Sequence, residues 1–169
     1  MGAAGFRLGV AWIVMWIALA IHVTDEALTG FLSVYNATVV ALRAEPGFWP
    51  TPVFDFKTWL LGLSIGIYIL ALLSPFAFRN VRLLRPLFLF IAVVAGLLNA
   101  TGHTVATILG HTVSTVRFER PAPGFYSSPL LAIVSLYALL QLWRTRNDGD
   151  SNAHRGKPVL APNTRWRNP

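Results

Sequence analysis

The stretch LGVAWIVMWIALAIHVTDEALTGFL, from Leu8 to Leu32, decides which fold this chain can adopt. Its apolar run is as long as the roughly 20 residues that a helix needs to cross a bilayer. Its second half nevertheless contains His22, Asp25 and Glu26. A charged side chain near the centre of a membrane costs about 2.5 kcal/mol or more, so we expect these three groups to face the protein interior and to be paired.

The composition is that of an integral membrane protein. Of the 169 residues, 54% are apolar and only 12% are charged, which is about half the charged fraction of an ordinary soluble domain. Because the chain has no cysteine, disulfides, thiolate metal sites and thiol catalysis are excluded. The net charge of +7 is concentrated in one loop and the C-terminal segment. Membrane topology explains this pattern better than nucleic-acid binding does, so no nucleic-acid partner is expected.

Four apolar runs predict an all-α, polytopic membrane protein with four transmembrane helices in a bundle. The second run should stop at Ser74-Pro75 and the third should start after Pro86, because proline suits a first helical turn and not a helix interior. Residues 1–145 would form the transmembrane domain, and residues 146–169 a disordered basic tail. The predicted spans cover residues 6–29, 57–76, 87–111 and 128–143.

The distribution of arginine and lysine predicts the orientation. Ten of the fourteen cations lie at the start of the first span (Arg7), between the second and third spans, or after the fourth. The cytoplasmic side of a membrane protein carries the excess of basic residues, so both termini are expected in the cytoplasm. An even number of spans also places the two termini on one side.

The segment 31–56 is expected to cover the outer face. It is apolar at first and then rich in proline and aromatic residues, which suit a headgroup boundary. Either the first helix continues into this segment or the chain breaks near Gly30 and an interfacial cap follows. His111 is expected at the outer mouth, near Arg117 and Glu119.

Two polar pairs lie at matching depth in the first and third predicted helices. His22 and Glu26 are four residues apart, and so are Asn99 and His103, so each pair shares one helix face. With a rise of 1.5 Å per residue, the first pair lies roughly 21–27 Å and the second roughly 18–24 Å from the cytoplasmic side. This agreement predicts one buried site in the outer half of the membrane, with Asp25 as a further member.

These residue types suit more than one chemistry. His22, Glu26 and His103 can ligate a divalent metal such as Zn, Fe or Mn. Without a metal the same groups form a general acid/base site, in which Asn99 would orient them and either Asp25 or Glu26 would be the inward carboxyl. A purely structural network is the third interpretation, since such side chains also hydrogen-bond across helix interfaces. Adjacent carboxyls are a costly way to join helices, which favours an active site.

The motif His22-Val-Thr-Asp25-Glu26, followed on a later helix by Asn99-Ala-Thr-Gly-His103, resembles the HXXEE family of small bacterial integral membrane proteins. Asp25 stands where the signature of that family has its first glutamate, so its carboxylate is one methylene shorter. The resemblance implies a multi-pass protein of the bacterial cytoplasmic (inner) membrane with a functional site at these residues. It implies no particular reaction.

The predicted function is a membrane-embedded enzyme that acts on a lipid-like or isoprenoid substrate through the buried His/carboxylate site. Membrane lipids are the expected partners, because the stretches around the site carry no other charge. One alternative is a non-catalytic accessory subunit of a larger membrane protein complex, in which the apolar outer faces bind other subunits. The second alternative is a proton-coupled carrier, which with so few helices would work as a homodimer.

Overall fold

The computed structural model describes residues 2–44 and 51–155. These residues are mostly helical, as predicted. One antiparallel hairpin, β1 (His111–Val113) and β2 (Val116–Arg117), precedes the last helix. The helical elements are, in order, α1 (Ala3–Thr29), α2 (Phe31–Ala44), α3 (Phe56–Leu72), α4 (Ser74–Phe78), α5 (Leu84–Phe90), a π-helical segment (Ile91–Leu98), α6 (Asn99–Leu109) and α7 (Ser128–Arg155).

Within the described residues, two helices are long and apolar enough to cross a membrane. One is α1, and the other is the continuous helix Leu84–Leu109, which joins α5, the π-helical segment and α6. The second of these ends two residues before the predicted boundary, because Gly110 adopts a left-handed conformation with φ of 75°. His111 therefore begins the hairpin and does not belong to the helix.

The predicted second span is interrupted as the proline suggested. Helix α3 stops at Leu72, and the short α4 begins at Ser74 with Pro75 in its first turn. At the other end of α3, the Asp55 side chain caps the helix by accepting from the Thr58 backbone N–H at 3.0 Å. Hydrogen bonding from Thr58 holds the pKa of the Asp55 carboxyl below its ordinary value.

The segment after α1 breaks at Gly30, which has φ of 77° and ends the helix. Helix α2 follows and is fastened to the chain that returns toward α3. The Asn36 amide donates to the Phe54 carbonyl at 2.8 Å and accepts from the Phe54 N–H at 3.1 Å. Of the predicted cap, residues 45–50 lie outside the described residues.

Helix α7 is longer than the predicted fourth span. It runs from Ser128 to Arg155, beyond the predicted end at residue 143, and residues 156–169 lie outside the described part of the chain. A helix that tertiary packing has already nucleated extends at little cost through polar residues, because each added residue gains a hydrogen bond.

The core lies where α1 and the helix Leu84–Leu109 pack against α7. Its largest fully buried apolar side chains are Leu8, Met15, Phe88 and Leu131. The helices approach closely at Gly96, where a methyl group would collide with Ser135 of α7. This packing turns the polar face of α1 toward α6 and α7.

Large apolar side chains remain exposed around this core. Helix α3 illustrates this, since Trp59 is its one buried residue and Leu61, Tyr68 and Leu72 are all more than half exposed. Contiguous exposed apolar surface of this kind marks contact with a membrane or with another protein.

Candidate metal centre

Helices α1 and α6 bring His22, Glu26 and His103 together in the interior of the bundle. The three residues are between 1% and 6% exposed. Nε2 of His22 lies 3.4 Å from Oε1 of Glu26, and Nε2 of His103 lies 3.1 Å from the same oxygen. Two imidazole rings from different helices therefore converge on one carboxylate oxygen, which is the proximity that the depth argument predicted.

Asn99 completes the contact between the two helices. Its Nδ2 lies 3.0 Å from His22 Nε2, on the same ring nitrogen that faces Glu26. The imidazole rings of His22 and His103 meet edge to face, with centroids 5.0 Å apart and an interplanar angle of 72°. Four of the five predicted site residues thus form one cluster.

The fifth residue, Asp25, points away from this cluster and binds Ser127. Asp25 Oδ2 accepts from the Ser127 backbone N–H at 2.8 Å and from its hydroxyl at 2.7 Å. The same hydroxyl lies 2.7 Å from His22 Nδ1. Glu26 is therefore the inward carboxyl, and Asp25 reaches His22 through the serine.

Ser127 was not predicted to be a site residue. It lies 105 residues from His22, just before α7, where serine is an ordinary residue at the start of a helix. The nearest available signal was the Ser127-Ser128-Pro129 sequence, which is typical of any helix N-terminus. Nothing local in the sequence distinguishes a serine that contacts a histidine from one that caps a helix.

The contacts of Ser127 indicate which ring nitrogen of His22 carries the proton. Because the hydroxyl donates to the Asp25 carboxylate, it accepts from His22 Nδ1, which must carry the ring proton. In the neutral ring, Nε2 then presents a lone pair toward Asn99 and Glu26. A histidine whose other ring N–H is bound by a polar partner is the usual arrangement at a metal ligand.

The spacing of Glu26 Oε1 from each histidine nitrogen suits a divalent metal. Tetrahedral coordination at 2.0–2.1 Å places neighbouring ligand atoms roughly 3.3 Å apart. The two contacts to Glu26 Oε1, 3.4 and 3.1 Å, lie close to that value. Across residues 2–44 and 51–155, this is the one group of three potential ligands whose atoms all lie within 4.8 Å of one another.

A tight loop covers the cluster between the hairpin and α7. Gly124 has φ of 80°, and its N–H donates to the Thr29 hydroxyl at 2.9 Å. A methyl group on Gly124 would lie 2.7 Å from His103 Cε1 and 2.9 Å from Glu26 Cγ. The backbone of this loop therefore rests directly on the two side chains.

Two cavities approach the cluster from different sides. One, of about 200 Å³, reaches Asn99 and His103 and is otherwise mostly apolar, with Phe31, Val34 and Phe118 in its wall. The other, of about 400 Å³, reaches Glu26 and is lined by α2 and the chain around Phe54. The cluster is buried but adjoins space that a ligand can occupy.

His111 is not part of this cluster. It pairs with Arg117 across the hairpin, which confirms the predicted proximity of these two residues. Its Nδ1 is buried and has no hydrogen-bond partner among the described residues.

No protein-family model matches this chain, and the searches of curated proteins and of solved structures found no match either. The chemistry of the centre is therefore inferred from its own geometry. Its deciding features are the convergence of two imidazoles on Glu26 and the assigned proton on His22.

Proposed function

We propose that this protein is a multi-pass membrane enzyme that uses a divalent metal, held by His22, Glu26 and His103, to act on a lipid-like substrate. One observation carries the proposal. Nε2 of His22 lies 3.4 Å from a carboxylate oxygen of Glu26 that is also 3.1 Å from Nε2 of His103. Neighbouring acceptor atoms in a buried site repel each other unless a proton or a cation lies between them, and a metal ion bound by all three satisfies them together.

The ligand set is that of a catalytic site. Two histidines and one glutamate would hold the ion through three protein ligands, the number that catalytic zinc sites use. Fe and Mn accept the same ligands. A metal-bound water has a pKa near 7 and is a strong nucleophile or base at neutral pH. Asn99, whose Nδ2 lies 3.0 Å from His22 Nε2, would orient that ring.

We propose that the chain crosses the membrane four times, with both termini in the cytoplasm. This topology is supported by the two long apolar helices, by the exposed apolar surface of α3, and by the arginines between α4 and α5 and at the end of α7. In that setting the centre lies in the outer half of a bacterial inner membrane. The resemblance of the motifs to the HXXEE family supports the same placement.

The cavity beside His103 supports a lipid-like substrate. Its volume of about 200 Å³ is smaller than the roughly 300–1,000 Å³ of sites that enclose a whole small molecule. It would therefore admit only a headgroup or one end of a longer molecule, while the rest stays in the bilayer. The apolar walls at Phe31, Val34 and Phe118 favour a lipid or an isoprenoid over a sugar or a nucleotide.

Turnover in a lipid membrane tests this function. The protein, loaded with Zn²⁺, would be reconstituted into vesicles of a bacterial polar-lipid extract, and the lipids followed by mass spectrometry. We expect new product masses with wild type and with the His111→Ala control. The His22→Ala/His103→Ala variant should form them at least about 100-fold more slowly. Identical lipid profiles for all three proteins, or products that persist after chelation, would contradict the proposal.

The serine contact provides a second prediction. Replacing Ser127 with alanine removes the acceptor for the His22 Nδ1 proton, and we expect metal affinity to fall about 10- to 100-fold, as at other sites that lose such a partner. Ser128→Ala is the matched control, because Ser128 is the next residue, is also buried and binds the Gly124 carbonyl at 2.8 Å. Titration with a chromophoric metal competitor gives both affinities. An equal loss in the two variants would show that the serine acts only through local packing.

A proton-coupled carrier is the second candidate, and one observation favours it. Asp25, Ser127, His22, Glu26 and His103 form an unbroken chain of close polar contacts, between 2.7 and 3.4 Å long. Chains of this kind conduct protons in membrane proteins. Proton uptake into liposomes that disappears in Ser127→Ala, without any metal requirement, would favour the carrier over the enzyme.

A further inference from the structure

A second groove lies between α5 and α7, far from the metal centre. It has a volume of about 440 Å³, and its walls include Leu89, Leu139, Leu142 and Trp143, together with Arg85 and Arg146. Arg85 and Asn99 belong to one continuous helix and are 14 residues apart, so about 21 Å separates the groove from the predicted site along the helix axis.

Arg85 is held in place by a neutral partner. Its Nε and Nη2 both donate to Oδ1 of Asn80, at 3.3 and 3.1 Å. Asn80 occupies a left-handed turn, with φ of 54°, just before α5. A guanidinium has five N–H donors, so this contact orients Arg85 without neutralising it and leaves further donors for a ligand.

Among the described side chains, the groove carries an excess of positive charge. Among the described side chains, no carboxylate lies within ion-pair distance of Arg85 or Arg146. Further exposed arginines lie nearby in sequence, at Arg79, Arg82 and Arg144. The groove therefore combines an apolar wall with an excess of cations, which is the complement of an anionic amphiphile.

We propose that this groove binds one anionic glycerophospholipid. The phosphate would lie between Arg85 and Arg146, since guanidinium groups bind phosphate through paired charge-assisted hydrogen bonds. The acyl chains would lie along Leu89, Leu139 and Leu142, and the exposed Trp143 would sit at the headgroup level where tryptophan is enriched. Basic pockets between membrane helices on the cytoplasmic side are established sites for such lipids.

The test compares phosphatidylglycerol with phosphatidylcholine. Full-length protein would be placed in mixed micelles of each lipid, and retained lipid counted by native mass spectrometry. We expect wild type to retain phosphatidylglycerol and the Arg85→Gln/Arg146→Gln variant to retain it about 30-fold less strongly. Arg79→Gln/Arg82→Gln is the matched control, because it removes the same charge from the same side of the protein outside the groove walls.

A variant that fills the groove tests the apolar part of the site independently of its charge. Leu142→Trp keeps both arginines and should also weaken phosphatidylglycerol retention, because the larger side chain occupies the space proposed for an acyl chain. Thermal unfolding in phosphatidylcholine checks that each variant is folded. Equal losses in the two double variants would show diffuse attraction to the basic surface and overturn the site. Unchanged retention in Arg85→Gln/Arg146→Gln would also overturn it.

Discussion

Purified protein should contain about one divalent metal ion per chain, and the His103→Ala variant should contain almost none. Among the described residues, His103 is one of the three proposed ligands, and the two that would remain, His22 and Glu26, lie on one helix turn and cannot enclose an ion. The measurement is elemental analysis of protein that was saturated with Zn²⁺, Fe²⁺ or Mn²⁺ and then dialysed against metal-free buffer.

His111→Ala is the control for this prediction. It also removes a histidine, but His111 follows the helix Leu84–Leu109, lies in β1 and is outside the cluster. Its metal content should equal that of wild type. Absence of metal from folded wild type under all three conditions would rule out the proposed centre, and equal losses in both variants would show that neither histidine is a specific ligand.

Gly124→Ala should lower the free energy of unfolding by roughly 2–5 kcal/mol. The left-handed conformation of this residue costs about 1–2 kcal/mol once a Cβ is present. Forcing a methyl group against packed side chains costs about 1–3 kcal/mol more, and the contacts here would be with His103 and Glu26. Denaturant unfolding in detergent measures the change. Displacement of His103 should also weaken metal binding.

Gly30→Ala separates the two contributions. Gly30 has nearly the same φ, 77°, but a methyl group there would meet no atom closer than 3.8 Å. We therefore expect it to lose only the conformational part, about 1–2 kcal/mol, and to bind metal normally. Equal destabilisation of the two variants would mean that the loop does not press on the site as the geometry indicates.

The sequence by itself determined the elements whose cause is local. Long apolar runs specify α1 and most of the helix Leu84–Leu109, because an apolar stretch of this length must be buried in protein or in lipid. The four-residue spacing of His22 and Glu26, and of Asn99 and His103, placed each pair on one helix face. The helix rise of about 1.5 Å per residue then predicted the same depth for the two pairs. In the structure the two pairs are in contact.

The tertiary structure alone decided how the polar groups are paired. Helix geometry says that Asp25 and Glu26 point about 100° apart, but which of them meets His103 depends on how α1 is rotated against α6. The partner of Asp25 is Ser127, which reaches it from a distant loop, and Gly124 of the same loop covers the cluster. Such contacts join positions about a hundred residues apart and arise from packing, so no local pattern of residues encodes them.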